Sequence, residues 1–161
     1  MILILLTLIL NLSAARANDV SGARVISVVD GNTLEVMGSD NEVKKVVLEG
    51  IDSPELEQAY GDKAKKFLEK LVLEKNVTVK LTGKDRKGNY LGIVTIGEKT
   101  DARIELLKEG LAWTAERNPV PELESYRRKA EEKGKGLWKE GNQTPPWIFR
   151  RQQSMLEAKG S

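Results

Sequence analysis

VVLEGIDSPE, residues Val46 to Glu55, joins a strand to a short loop that presents two carboxylates. Val46, Val47 and Leu48 are apolar and mostly β-branched, as strand residues are, and Gly50 marks the point where the backbone turns. Pro54 excludes helix at Ser53 and stiffens the loop, so Asp52 and Glu55 leave the strand end on a rigid segment. Two acidic groups on such a loop can hold a hard cation such as Ca²⁺ and activate a water. The same residues also suit an ordinary turn.

Four further segments bear on that choice. Upstream, VISVVDGNTLEV (Val25 to Val36) is two strand-like runs around the tight-turn signal Asp30-Gly31-Asn32. Downstream come GKDRKGNYLGIV (Gly83 to Val94), GKGLW (Gly134 to Trp138) and PPWIFRR (Pro145 to Arg151). Together with the opening stretch, in this order and spacing, they resemble the staphylococcal nuclease (thermonuclease) family from about Ala23 to Arg151. The resemblance implies an α+β fold: a five-stranded OB-type β-barrel flanked by about three helices. In active members it implies a Ca²⁺-dependent phosphodiesterase acting on DNA and RNA.

The same resemblance exposes three departures. Where active relatives carry a calcium-binding aspartate this chain has Asn32, an amide that offers one oxygen and no charge. The family's arginine five residues before the loop aspartate falls at Val47, and its second arginine, after the glycine of the KDRKG turn, falls at Asn89. Asp52, Ser53, Pro54 and Glu55 agree with the pattern. By resemblance, then, Glu55 is the residual general base, and Asp52, Asn32 and Ser53 make a calcium site short of one carboxylate, which binds the ion more weakly.

Phosphodiester hydrolysis builds negative charge on the phosphoryl oxygens, and fixed cations must neutralise it. Removing one such donor costs roughly 10² to 10³ in rate, and an arginine clamping a phosphoryl group is worth about 10³ to 10⁵. Losing two guanidiniums and a carboxylate is expected to leave little activity, although such effects are not additive. Lys45 shares a strand face with Val47, and Arg86 lies in the turn of Asn89, so these two are the candidate substitute cations. Lysine lacks the bidentate fork and replaces arginine poorly. Lys87 and Tyr90 are candidate ligand contacts; Tyr90 either stacks on a base or packs the barrel end.

Composition narrows the chemistry. The 161 residues suit one domain with a real core. There is no cysteine and no histidine, which removes disulfides, thiolate or imidazole zinc sites, and a Ser-His-Asp triad. Residues 1–17, MILILLTLILNLSAARA, read as a signal peptide cleaved after Ala17, too short to span a membrane. The mature chain is then expected to be exported, periplasmic or extracellular, with no stable membrane span. Losing Arg16 turns 26 basic against 24 acidic residues into 25 against 24, a net charge of +1. That is a slight electrostatic footprint for nucleic acid unless the cations cluster.

The remaining pattern predicts strands over Ala23–Val29, Thr33–Met37, Glu42–Glu49, Val77–Thr82 and Tyr90–Ile96. It predicts helices over Glu57–Leu73, Asp101–Glu109 and Glu122–Lys133. The lysines of the first helix read as a solvated face. Trp147-Ile148-Phe149 is expected to fasten a C-terminal arm, leaving Arg150 and Arg151 exposed beyond it. The domain is expected to span residues 18–153, and residues 154–161 to form a loose tail. Three functions remain open: a catalytically impaired module binding single-stranded nucleic acid, a nucleotide or a protein; a Ca²⁺-dependent nuclease; or a structural envelope protein with no ligand in the cleft.

Overall fold

The computed structural model describes residues 19–117 and 119–160, so the signal peptide expected over residues 1–17 lies outside the described residues. Strand β1 (Asp19–Val28) turns through residues 29–32 into β2 (Thr33–Met37), which pairs with β3 (Val43–Leu48), all antiparallel. A two-residue strand, β4 (Ile51–Asp52), carries the chain into the acidic loop and helix α1 (Gly61–Val72). Strand β5 (Asn76–Lys84) returns alongside β1, and β6 (Tyr90–Ile96) pairs with β5. The barrel closes where β6 meets β3 in parallel, with Val46, Val47 and Leu48 opposite Tyr90, Leu91 and Gly92. The expected five-stranded barrel is therefore present, in the order β3-β2-β1-β5-β6 with closure back to β3.

Alternation fills that barrel. Ala23, Val25, Leu34, Val36, Val46, Val79 and Val94 are fully buried, and their strand neighbours, buried Thr33 apart, face outward or are partly exposed. Helix α1 caps the core with Ala64, Leu68 and Val72, spaced to share one face. A short strand β7 (Thr100–Asp101) leads into α2 (Ala102–Lys108), where Asp101 is the N-cap, accepting from the Arg103 backbone N–H at 2.9 Å. The buried Arg103 guanidinium pairs with Asp101 at 2.7 Å and donates to the Glu49 carbonyl at 3.1 Å. That contact ties α2 to the residues just before the acidic loop.

Strand β8 (Trp113–Thr114) pairs with β4 and sets Trp113 opposite Asp52. Helix α3 (Pro121–Glu132) buries Leu123 and Ala130 and keeps Tyr126 half-buried, the stripe expected from sequence. A 3₁₀ turn (Gly136–Lys139) and helix α4 (Pro146–Gly160) complete the chain. Among the described residues four α-helices flank the barrel, one more than expected, because the C-terminal arm and the stretch read as a loose tail from Ser154 form one helix, α4, to Gly160.

The first helix also starts later than expected. Residues 55–60 form successive turns, with the Gln58 N–H donating to the Glu55 carbonyl at 2.9 Å and the Gly61 N–H to the Gln58 carbonyl at 3.1 Å. Tyr60 sits in the left-handed region at φ 70°, which no α-helix can include. Among the described residues no helix is long and apolar enough to cross a membrane.

Candidate active-site cleft

One end of the barrel opens into a cleft of about 1070 Å³, walled by the 29–33 turn, β3, the 52–55 loop, the 85–89 turn and α4. The β1–β2 turn is held first by itself, with the Asn32 N–H donating to Asp30 Oδ1 at 2.9 Å and the Leu48 N–H to the Asn32 carbonyl at 2.8 Å. It then docks on the acidic loop: Ser53, buried, donates its hydroxyl to the Gly31 carbonyl at 3.1 Å and its N–H to Asn32 Oδ1 at 3.1 Å. Gly31 is required for this approach. A Cβ there would lie 2.6 Å from the Ser53 Cβ and 2.7 Å from the Ala64 Cβ.

That docking decides what Asn32 can do. The Ser53 N–H is a donor, so the Asn32 oxygen must face it, and the amide NH₂ takes the other direction. An aspartate here would keep a second oxygen free; asparagine does not. Asp52 leaves the same loop largely buried, and burial pushes its carboxyl above the usual carboxylate range, with Arg150 pulling the other way.

Arg150 is the residue that sequence reading missed. Reaching across from α4, its Nη2 meets Asp52 Oδ2 at 2.7 Å, and its Nη1 meets Asp52 Oδ1 at 3.1 Å and Glu55 Oε1 at 2.5 Å. Exposed as expected, this guanidinium nevertheless clasps both acids of the loop. Its hydrogen bonds to Asp52, and then to Glu55, raise its pKa above the ordinary arginine value. Arg151 likewise turns back, to Glu116 at 2.9 Å. The half-exposed ion pairs stabilise the docked arm modestly, about 1 kcal/mol or less apiece.

The arm is also seated by aromatics. Trp147 lies edge-on to Trp113 at 6.4 Å, and Trp113 edge-on to Trp138 at 5.6 Å, so the expected fastening exists and runs through three indoles. Pro146 is buried and the Gln58 amide donates to the Thr144 carbonyl at 2.8 Å, closing the chain over the loop. Met155 and Ala158, farther along α4, line the cleft as well.

The other sequence candidates divide. Lys45 and Val47 both line the cleft, the shared face expected of residues two apart on a strand. Arg86 and Lys87 line it from the opposite turn, and Arg117, unforeseen, from beyond β8. Among the described residues none of Lys45, Arg86, Lys87 or Arg117 has an ion-pair partner, unlike Arg150 and Arg151. Asn89 lines the cleft but its amide donates to Asp85 Oδ2 at 2.8 Å and its N–H to Oδ1 at 2.9 Å, so it works as part of the turn. Tyr90 is not in the cleft: its ring packs against the barrel core with the Lys84 ammonium 4.5 Å from the ring centre.

The donor set does not fit a hard divalent cation. Calcium takes six to eight oxygens. Here the Asn32 oxygen serves Ser53, both Asp52 oxygens and one of Glu55 serve Arg150, and among the described residues no three acidic groups converge as a metal site. Asp30, which reading the sequence passed over as a site residue, lines the cleft but is engaged by the Asn32 N–H.

Comparison with known proteins agrees with the fold. The family described as Staphylococcal nuclease homologue matches residues 45–140. A Haemophilus influenzae protein named "Uncharacterized endonuclease" is 36% identical over 93% of this chain and 84% of its own length. An Escherichia coli O157:H7 protein of the same name is 37% identical over 82% of this chain and 86% of its own. A Shigella flexneri protein named "Micrococcal nuclease" is 30% identical, covering 79% of each. Barrel order, acidic loop and these matches converge: the chain belongs to the staphylococcal nuclease family.

Proposed function

We propose that this chain is a phosphate-binding member of its family, a module for single-stranded nucleic acid or nucleotides whose hydrolytic power is largely lost. The observation that carries this reading is the distribution of charge in the cleft. Four cations that have no ion-pair partner among the described residues, Lys45, Arg86, Lys87 and Arg117, line a volume large enough for a short stretch of single strand. Meanwhile the two positions that should bear guanidiniums against a developing phosphoryl charge hold Val47 and Asn89, and Asn89 is committed to its own turn. Ground-state attraction to a polyanion survives that exchange; stabilisation aimed at the transition state does not.

A weak nuclease is the second reading, favoured by the relatives' names and by the survival of Glu55 at the cleft wall. In it Glu55 takes a proton from water while Lys45 and Arg86 stand near the phosphoryl oxygens.

Two assays on the purified chain separate these. Fluorescence anisotropy of a labelled single-stranded oligonucleotide, in chelator and across a salt series, is expected to show binding whose log–log salt slope is about −3, four contacts at roughly 0.7 each. Cleavage of the same strand is expected to equal that of a Glu55→Gln variant. Absence of salt-dependent binding removes the binding module; rapid cleavage abolished by Glu55→Gln removes the impaired site.

A further inference from the structure

The acidic loop meets Arg150 where the family reading looks for a divalent ion. We propose that the Arg150 guanidinium is the cleft's resident cation: docked α4 and a divalent metal exclude one another, and the closed cleft takes its phosphate ligand without metal. The claim deepens the binding reading above and rests on it for the ligand, though not for the exclusion.

Three observations carry it. First, the contact is a fork across both acids, with Asp52 held by two nitrogens at 2.7 and 3.1 Å and Glu55 by one at 2.5 Å, so one planar group fills the space between the carboxylates. Any ion bridging Asp52 and Glu55 would need Asp52 oxygens that Arg150 already holds, with only Glu55 Oε2 outside the fork, and would stand against a positive charge. Second, the third expected ligand has turned its oxygen away: Asn32 Oδ1 accepts from the Ser53 N–H. Third, Arg150 does not arrive alone. Trp147, Arg151 and Met155 of the same helix line the cleft, and Trp147 anchors it on Trp113, directly across the β4–β8 ladder from Asp52. The helix is therefore placed as a strap over the mouth, with its cation inserted.

Neither Asp52 nor Glu55 needs an external counter-ion in this state, while Lys45, Arg86, Lys87 and Arg117 keep their charge for the ligand. Opening the strap would expose the acids and give the cleft a different, metal-accepting face. The two forms differ by which cation the acids hold.

The test titrates CaCl₂ by calorimetry into the wild type, Arg150→Met and Arg150→Lys. The wild type and the lysine variant, which both keep a cation, are expected to bind Ca²⁺ poorly. Arg150→Met, which keeps the stem and loses the charge, is expected to bind it tighter by about tenfold or more, as removal of a unit charge within a few ångströms of the ion requires. Equal affinity in wild type and Arg150→Met, or tight wild-type binding with α4 still docked, overturns the proposal. Amide exchange in the wild type supplies a readout independent of any variant: millimolar Ca²⁺ is expected to accelerate exchange across residues 150–158, and unchanged exchange in the calcium-bound protein overturns exclusion. Oligonucleotide binding in chelator separates the two layers. If Arg150→Met gains calcium but no oligonucleotide binds, the exclusion stands and the binding reading falls; if the wild type binds oligonucleotide only with calcium, the resident cation is refuted.

Discussion

Gly31→Ala is the sharpest perturbation of the scaffold under the cleft. The φ of Gly31 lies outside the left-handed region, so an alanine there is not penalised by its backbone. By chain entropy alone it would stabilise the fold by about 0.4 to 1 kcal/mol. Sterics oppose this. The new methyl would sit 2.6 Å from Ser53 Cβ and 2.7 Å from Ala64 Cβ, and neither atom belongs to a flexible side-chain end. Relief to ordinary contact needs a shift of about 0.8 Å, an overpacking cost of about 1 to 3 kcal/mol. Such a shift strains both links to Ser53, at 3.1 Å each, and a net hydrogen bond is worth about 1 kcal/mol. The expected outcome is a loss of about 2 to 3 kcal/mol, measured by urea unfolding followed by circular dichroism, with weaker oligonucleotide binding. Adding Ala64→Gly should return part of the loss, with a coupling of about 1 kcal/mol between the two sites, although that glycine costs about 1 kcal/mol of its own in the helix. A Gly31→Ala protein as stable as the wild type, or more so, refutes the close-approach argument.

Restoring guanidiniums with Val47→Arg and Asn89→Arg together is expected to raise single-strand cleavage by about 10² or more, read against the same pair carrying Glu55→Gln; no gain means that missing cations are not what limits the site. Lys45→Ala and Arg86→Ala should each weaken oligonucleotide binding and flatten the salt slope by about 0.7, and an unchanged slope removes that residue from the binding path. Glu124 has its pKa depressed below the ordinary glutamate value of 4.5, first by the Arg127 guanidinium and also by the Thr114 hydroxyl. A depressed folded pKa gives stability that is present above 4.5 and fades as pH falls through the folded value. Glu124→Gln is accordingly expected to be less stable than wild type by under about 1 kcal/mol at pH 7, the pair being partly exposed, with the gap narrowing in acid. A gap that widens in acid reverses the assignment.

Most of the barrel was legible because its residues follow local rules. Thr33–Met37 and Tyr90–Ile96 have the bounds expected, since Asp30-Gly31-Asn32 and the Gly88-Asn89 turn punctuate them. Helix α1 was misplaced at its start because Glu57 and Gln58 suit a helix locally, while Tyr60 is forced out of one by the turns that bring Gly61 against the Glu55 carbonyl. Helix α4 was hidden for a different reason. After Phe149 its residues are polar or exposed, so no apolar stripe announces it. The chemical identities at positions 32, 47 and 89 could be read directly, but not the orientation of the Asn32 amide, which a backbone N–H across the fold imposes. Nor could any spacing rule connect Arg150 with a carboxylate 98 residues earlier. The only sequence hint was the arginine pair following an aromatic cluster, and its partner is a property of the fold.

All three tryptophans of the chain belong to the seam between β8, the 3₁₀ turn and α4, and none lies in the barrel strands. At separations of 5.6 and 6.4 Å, edge to face, the three rings sit in one shared environment. The intrinsic emission of this protein is therefore a local gauge of arm docking rather than of global folding, whereas far-ultraviolet dichroism averages over the whole backbone. In a denaturant series the two signals need not coincide: emission shifting ahead of dichroism marks an arm that detaches from an intact barrel, and superimposed curves mark a single cooperative unit.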